Sequence, residues 1–169
     1  MTPVRLGAGL ALATLVVDQA NKLWLIFGYG VEARQPVRLT PFFDVVFAKN
    51  TGISYSLFNA STATQRLLLL GFTLAATAFL VVLLFKARTR LAGAALGLII
   101  GGALGNAVDR AAYGYVADFY HFHVGSFSWY VFNLADVAIV AGVGLLMLEA
   151  LFDARGGAEA RGGEGAPAP

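Results

Sequence analysis

Long apolar stretches separated by shorter polar segments dominate the pattern of hydrophobic and polar positions along the chain. An α-helix needs roughly 17–25 mostly apolar residues to cross the hydrocarbon core of a bilayer. Four stretches meet this length, at residues 6–27, 67–85, 91–108 and 130–148, and we predict that each is a transmembrane helix. A cleaved signal peptide is an alternative for the first, because Arg5 precedes the apolar core at 6–17, but no small-x-small cleavage site follows it.

The segments between these spans predict how the chain is oriented. Lys86, Arg88 and Arg90 lie between the second and third spans, and the positive-inside rule places this connector and both termini in the cytoplasm. Residues 28–66 and 109–129 then face outward. Strand-favouring residues at 42–47 predict a small β-containing platform in the first outer segment. The second is rich in aromatic residues, which predicts an interfacial loop at the level of the lipid headgroups.

Composition agrees with a membrane protein. Of the 169 residues, 58% are hydrophobic and only 13% are charged, compared with about 25% charged residues in soluble domains. The fold class expected is an all-α polytopic membrane protein, with one four-span domain over residues 1–155. Residues 156–169, rich in Gly, Ala, Pro and Glu, predict a disordered cytoplasmic tail.

Charge and cysteine content exclude several kinds of chemistry. The net charge is +2 and no basic run is long enough to bind nucleic acid, so no nucleic-acid partner is expected. The chain contains no cysteine, which excludes disulfides, thiolate nucleophiles and thiolate metal sites. Any reaction must therefore use oxygen or nitrogen groups.

Small residues recur every four positions along the third span, at Gly93, Gly97, Gly101 and Gly105. A ridge of this kind lets transmembrane helices approach backbone to backbone. At its outer end, Asn106, Asp109 and Arg110 share one face if the helix continues for another turn.

Four of the ten acidic residues converge at one level near the outer leaflet: Asp18, Asp109, Asp118 and Asp136. A lone charge at the centre of a membrane helix costs on the order of 3 kcal/mol. Asp18 has Lys22 four residues later and Asp109 has Arg110 beside it, so both have structural as well as functional interpretations.

Asp118 and Asp136 have no cation within a helical turn. Two unpaired carboxylates in a low-dielectric environment share one proton if they approach each other. Aspartic proteases use this arrangement to activate water and to protonate the leaving amine. The residues therefore favour an enzyme that uses this pair.

Other functions remain as alternatives. A proton-coupled transporter or channel would use the same acids as a relay, although the second and third spans contain no polar path across the membrane. A lipid-binding scaffold without catalysis would tolerate loss of either acid. His121 and His123 offer two imidazoles to a metal ion, with Asp118 nearby, but such a short motif is more typical of interfacial packing.

Five motifs in this chain resemble those of the signal peptidase II family, the membrane aspartic proteases that process bacterial prolipoproteins. They are DQANK at 18–22, NTGISYS at 50–56, GGALGNAVDR at 101–110, VADF at 116–119 and FNLAD at 132–136. The second motif departs from the family, which usually has Ala-Phe where this chain has Ser54 and Tyr55. The resemblance spans almost the whole chain before the tail.

The resemblance implies that Asp118 and Asp136 are the catalytic pair, without a metal, other cofactor or covalent intermediate. It implies two further groups: substrate-binding residues Asn50, Gly52, Asn106, Arg110 and Asn133, and supporting residues Asp18, Lys22 and Asp109. The expected substrates are diacylglyceryl-modified prolipoproteins, cut on the amino side of the lipid-modified cysteine. The expected location is the bacterial inner membrane, with the active site at its outer face beside membrane lipid.

Overall fold

Four long helices account for most of the chain. The computed structural model describes residues 1–52 and 62–162. The segments with the length and composition to cross a membrane are Pro3–Tyr29, Ala63–Phe85, Arg90–Tyr113 and Leu134–Phe152. Each overlaps one predicted span, which confirms the prediction of a polytopic membrane protein with four membrane helices.

Five α-helices and four strands follow one another along the described chain. The helices are α1 (Pro3–Leu23, continued as a π-helix at Trp24–Tyr29), α2 (Val31–Arg34), α3 (Ala63–Phe85), α4 (Arg90–Tyr113) and α5 (Leu134–Gly162). The strands are β1 (Val37–Thr40), β2 (Phe43–Asn50), β3 (Val116–Val124) and β4 (Phe127–Ser128). Helix α4 continues well beyond residue 108, as the shared face of Asn106, Asp109 and Arg110 requires.

The strands form one antiparallel sheet at one end of the helices, in the order β1-β2-β3-β4. Strand β2 confirms the β structure predicted around residues 42–47. The segment 109–129, expected as an interfacial loop, differs from that prediction in secondary structure, because its first residues continue α4 and nine of its 21 residues form the long strand β3. Its aromatic residues are partly internal: Phe119 is fully buried and stacks on Phe47 at a centroid distance of 5.6 Å.

The fourth membrane helix begins at Leu134 rather than at the predicted residue 130. Residues before it belong to the edge of the sheet, where the Phe132 carbonyl accepts hydrogen bonds from the backbone amides of Phe119 and Tyr120. Helix α5 continues to Gly162 and so overlaps the segment predicted as a tail; residues 163–169 lie outside the described residues.

Helix α4 lies at the centre of the bundle, and its small residues allow close packing. A Cβ at Gly97 would overlap the carbonyl oxygen of Gly7 in α1, and one at Gly102 would lie 2.5 Å from the carbonyl oxygen of Ala135 in α5. The glycine ridge predicted from the sequence is thus a contact surface for two neighbouring helices. By contrast, α3 exposes large apolar side chains such as Phe72 and Phe79 along its length, as expected for contact with lipid.

We expect Gly97→Ala to destabilise the bundle, because the added methyl group must separate α4 from the backbone of α1. Overpacking of this kind typically costs about 1–3 kcal/mol. The matched control is Gly144→Ala in α5, where an added Cβ meets no atom within 4 Å. In thermal unfolding in detergent, Gly97→Ala should have a lower Tm than the wild type, whereas Gly144→Ala should not. Equal Tm values for the two variants would contradict this packing.

Candidate active site

A buried ammonium group connects helices α1 and α4. The Nζ atom of Lys22 lies 2.9 Å from a carboxylate oxygen of Asp18 and 2.8 Å from one of Asp109. It also donates a hydrogen bond of 3.2 Å to Oδ1 of Asn106. The predicted pairing of Asp18 with Lys22 is confirmed. Asp109, in contrast, makes its ion pair with Lys22 and not with the neighbouring Arg110.

Asp18 and Asp109 also hold the beginnings of two other elements. Oδ1 of Asp18 accepts a hydrogen bond of 2.9 Å from the amide of Ala135 in the first turn of α5. Oδ2 of Asp109 accepts one of 3.1 Å from the amide of Ala117 in β3. Ala117 and Ala135 immediately precede Asp118 and Asp136. The buried ion pairs therefore fix the backbone next to each of these two acids.

Gln19 also takes part in this group of contacts, although the sequence did not predict a role for it. Its Nε2 atom donates to Oδ1 of Asp109 at 2.9 Å and to the Gly105 carbonyl at 3.1 Å. The only signal for it was its position beside Asp18 in the first motif. Because it links α1 to α4 next to Lys22, it reinforces the same helix pair.

Asp118 on β3 and Asp136 in the first turn of α5 are connected through Asn133. The Nδ2 atom of Asn133 donates to Oδ1 of Asp118 at 2.6 Å, and its backbone amide donates to Oδ2 of Asp136 at 3.2 Å. Asn50 donates to the other oxygen of Asp118 at 3.0 Å, and Asn106 donates to Oδ1 of Asp136 at 2.9 Å. Each carboxylate is therefore oriented from two sides.

Asn133 also sets the start of α5. Its Oδ1 atom accepts a hydrogen bond of 3.0 Å from the Asp136 amide, while the Asp136 carboxylate accepts from the Asn133 amide. This is the reciprocal arrangement of a capping box, with Asn and Asp in place of the usual residues. The same two residues thus begin the helix and orient a carboxylate.

Burial, and to a smaller extent the nearby charge of Asp136, raise the pKa of Asp118 to about 7. Hydrogen bonds from Asn50 and Asn133 to its carboxylate oppose this effect. The residue is only 2% exposed, which explains why burial dominates. Near neutral pH, Asp118 therefore exchanges a proton readily, as an acid–base group requires.

Arg110 connects the acids to the segment after β2. Its Nη2 atom donates to the carbonyl oxygen of Gly52 at 3.3 Å, and the Gly52 amide donates to Oδ1 of Asn50 at 3.1 Å. Its Nε atom is buried and has no hydrogen-bond partner among the described residues. The motif residues that follow, including Ser54 and Tyr55, lie outside the described residues.

The structure joins all ten residues named from the sequence into one continuous set of contacts at the end of the bundle that carries the sheet. The path runs from Lys22 through Asn106 and Asn133 to Asp118, and from there through Asn50 to Gly52 and Arg110. A cavity of about 370 Å³ lies beside Arg110 between α3 and α4, with Leu67 and Leu70 in its wall.

The fold and these contacts define a polytopic membrane protein. Two acidic residues, Asp118 and Asp136, lie at the end of the helices that carries the sheet, and both accept hydrogen bonds from Asn133. The family model for signal peptidase (SPase) II matches residues 10–152. The chain belongs to the signal peptidase II family.

Individual relatives agree with this assignment. The chain is 67% identical to the lipoprotein signal peptidase of Methylocella silvestris, over 99% of both chains, and 58% identical to that of Beijerinckia indica, over 98% and 99%. A solved bacterial membrane enzyme has a similar fold, with a TM-score of 0.76 and 22% identity over 88% of each chain.

We expect the contributions of Asp18 and Lys22 to stability to be strongly non-additive. Removal of Lys22 leaves two buried carboxylates without their cation, whereas removal of both partners leaves only one. A double-mutant cycle with Asp18→Asn and Lys22→Met, measured by unfolding in detergent, should give a coupling of roughly 0.5–3 kcal/mol. Simple additivity of the two changes would contradict the pairing.

Proposed function

We propose that the chain is an aspartic endopeptidase that removes the signal peptide from diacylglyceryl-modified prolipoproteins. Cleavage falls on the amino side of the lipid-modified cysteine, and Asp118 and Asp136 are the catalytic residues. The observation that carries the proposal is the bridge made by Asn133, which holds both carboxyl groups at one place. The lipoprotein signal peptidases among its relatives support the same substrate class.

The chemistry requires the pair to hold one proton. Asp118 carries it near neutral pH, in keeping with its raised pKa, while the carboxylate of Asp136 takes a proton from a water molecule. The resulting hydroxide attacks the carbonyl carbon of the scissile peptide bond. The C–N bond then breaks as the departing amine receives a proton from the pair, so that the pair again holds one proton.

The surrounding polar residues divide into three roles. Asn106, Asn133 and Asn50 orient the carboxyl groups, because their amide nitrogens donate to them. Arg110 has a buried Nε donor without a partner among the described residues, which suits it to bind a carbonyl oxygen of the substrate backbone. Asp18, Lys22 and Asp109 support the site through the contacts that hold α5 and β3.

A lipid-modified substrate must reach the acids from the membrane. In the orientation we propose, the basic connector with Lys86, Arg88 and Arg90 and both termini are cytoplasmic. The sheet is then an extracytoplasmic platform, and the acids lie at the outer face of the bacterial inner membrane. The cavity between α3 and α4 has apolar walls at Leu67 and Leu70 beside Arg110, which suits an acyl chain next to a polar group. Residues 1–155 act as one membrane domain, and 156–169 as a cytoplasmic tail.

The transporter alternative receives no support from the relatives. A proton relay requires polar groups through the whole membrane. The described part of α3 buries one polar residue, Thr77, whose hydroxyl donates to the carbonyl of Thr73 within the same helix. The half of α4 farther from the sheet buries glycine, alanine, leucine and isoleucine.

We expect Asp118→Asn and Asp136→Asn each to abolish cleavage of a lipid-modified prolipoprotein by the purified full-length protein in detergent. Because the asparagine amide cannot cycle a proton, the rate should fall by about 10²–10⁴-fold or more. The assay is the gel shift that accompanies signal-peptide removal. Chelation by EDTA should leave the wild-type rate unchanged, since no metal takes part in this chemistry.

The control is Glu32→Gln, which removes an exposed acid of α2 whose partner is Lys49. This variant should cleave at the wild-type rate. Thermal unfolding should show that both aspartate variants remain folded. Substantial turnover by either folded variant would contradict the proposed catalytic pair.

A further inference from the structure

A second group of ionisable side chains lies on the sheet, apart from the proposed active site. It consists of Asp44 on β2 and His121 and His123 on β3, and we call it the histidine cluster. The Nε2 atom of His123 lies 3.0 Å from Oδ2 of Asp44, and the two imidazole rings are 5.1 Å apart between centroids. One nitrogen or oxygen from each of the three residues lies within 4.8 Å of the others. The chain has no other histidine.

The backbone of the sheet fixes this arrangement. His121 and His123 are two residues apart on one strand and so project from the same face. Asp44 is the direct cross-strand partner of His121, and the His123 amide donates to the carbonyl of Phe42 at 2.9 Å. The three side chains are therefore brought together by strand pairing and not by a loop.

Asp44 has an unsatisfied oxygen. The residue is 7% exposed, and its buried Oδ1 atom has no hydrogen-bond partner among the described residues. The nearest cation is Arg38, whose Nε lies 3.8 Å away on a side chain that is 73% exposed. A buried carboxylate oxygen without a partner is unfavourable. A cation bound by either oxygen of this carboxylate would compensate its charge.

We propose that Asp44, His121 and His123 bind a divalent transition-metal ion of the zinc type, with a fourth position open to water. Two imidazoles and one carboxylate suit such an ion better than calcium or magnesium, which prefer oxygen ligands. The sequence suggested Asp118 as a neighbour of these histidines, whereas the structure places Asp44 there instead.

The distances are close to those of a metal site. Tetrahedral zinc with bonds of about 2.0–2.1 Å holds its ligand atoms roughly 3.3 Å apart. His123 and Asp44 already meet this separation. A ring nitrogen of His121 must come closer to them, and a rotation that makes Nε2 the ligand releases its contact of 2.8 Å with Oγ of Ser128. Ser128 lies on the short strand β4, and the ring is only half-buried, so this rotation needs no change in the core.

The metal would join β2 to β3 without entering the peptidase chemistry. Asp118 lies three residues from His121 along β3, about 10 Å away, and projects from the opposite face. We therefore expect the ion to raise the stability of the sheet that presents Asn50 and Asp118. Its presence is compatible with cleavage that does not respond to EDTA.

The test uses the full-length protein in detergent, without a polyhistidine tag. Co²⁺ provides a visible absorption band that reports nitrogen and oxygen coordination, and calorimetry with Zn²⁺ gives the stoichiometry. We expect one equivalent of each ion to bind and Zn²⁺ to raise the Tm, with the shift reversed by EDTA. Mutation of residues that only hydrogen-bond to the ligands of a metal ion lowers its affinity about 10–100-fold. Because His121→Gln and His123→Gln each remove a ligand, each should weaken binding at least about tenfold.

Two variants serve as controls. Glu32→Gln removes an exposed carboxylate elsewhere on the same side of the molecule and should bind like the wild type. Asp136→Asn should also bind normally, which separates the histidine cluster from the proposed catalytic pair. If His123→Gln does not fold, His121→Gln decides the question, because the hydrogen bond of His121 is to the exposed Ser128, whereas that of His123 is to the buried Asp44. Absence of saturable binding by the wild type, or undiminished binding by folded His121→Gln, would overturn the proposal.

Discussion

The ammonium group of Lys22 is buried between two helices, and the polar end of the bundle depends on how its charge is compensated. A buried cation is tolerated only with close partners, and Lys22 has the carboxylates of Asp18 and Asp109 together with the Asn106 amide oxygen. This requirement fixes the rotation of α1 against α4, while the glycine ridge of α4 allows the two backbones to approach closely enough. Both carboxylates also accept a hydrogen bond from a backbone amide. Asp18 does so from α5 through the oxygen that does not face Lys22, and Asp109 does so from β3 through the same Oδ2 atom that contacts Lys22.

The proposed catalytic pair stands on the two elements held in this way. Asp118 is on β3 and Asp136 begins α5, so their mutual position follows from the buried ion pairs together with Asn133. Within this network, four carboxylates and two cations, counting Arg110, leave two negative charges if every group is ionised. Uptake of a proton reduces this excess of negative charge. Asp118 takes up the proton near neutral pH, because burial raises its pKa to about 7. The same network therefore supports the fold and sets the acid–base chemistry.

The sequence predicted those parts of the molecule that depend on short-range periodicity. Span lengths located four helices, and the spacing of four residues identified the pair of Asp18 and Lys22. Contacts between distant segments could not be predicted from such periodicity. Asp109 has Arg110 as its neighbour in sequence, yet it pairs with Lys22 because α4 packs directly on α1. Likewise, the aromatic residues around β3 have the composition of an interfacial loop, and only pairing with β2 makes them a strand. The position of Asp44 beside the two histidines depends on that register, which no local pattern specifies.

The central claim is that Asp118 and Asp136 share one proton near neutral pH. Infrared difference spectroscopy of the full-length protein in lipid, titrated through neutral pH, tests it most directly, because a protonated carboxyl group absorbs apart from a carboxylate. The account predicts a carboxylic-acid band that is half lost near pH 7 and is missing from Asp118→Asn. A band for Asp118 that disappears near the ordinary aspartate value of 3.8, leaving both acids ionised at neutral pH, would contradict it.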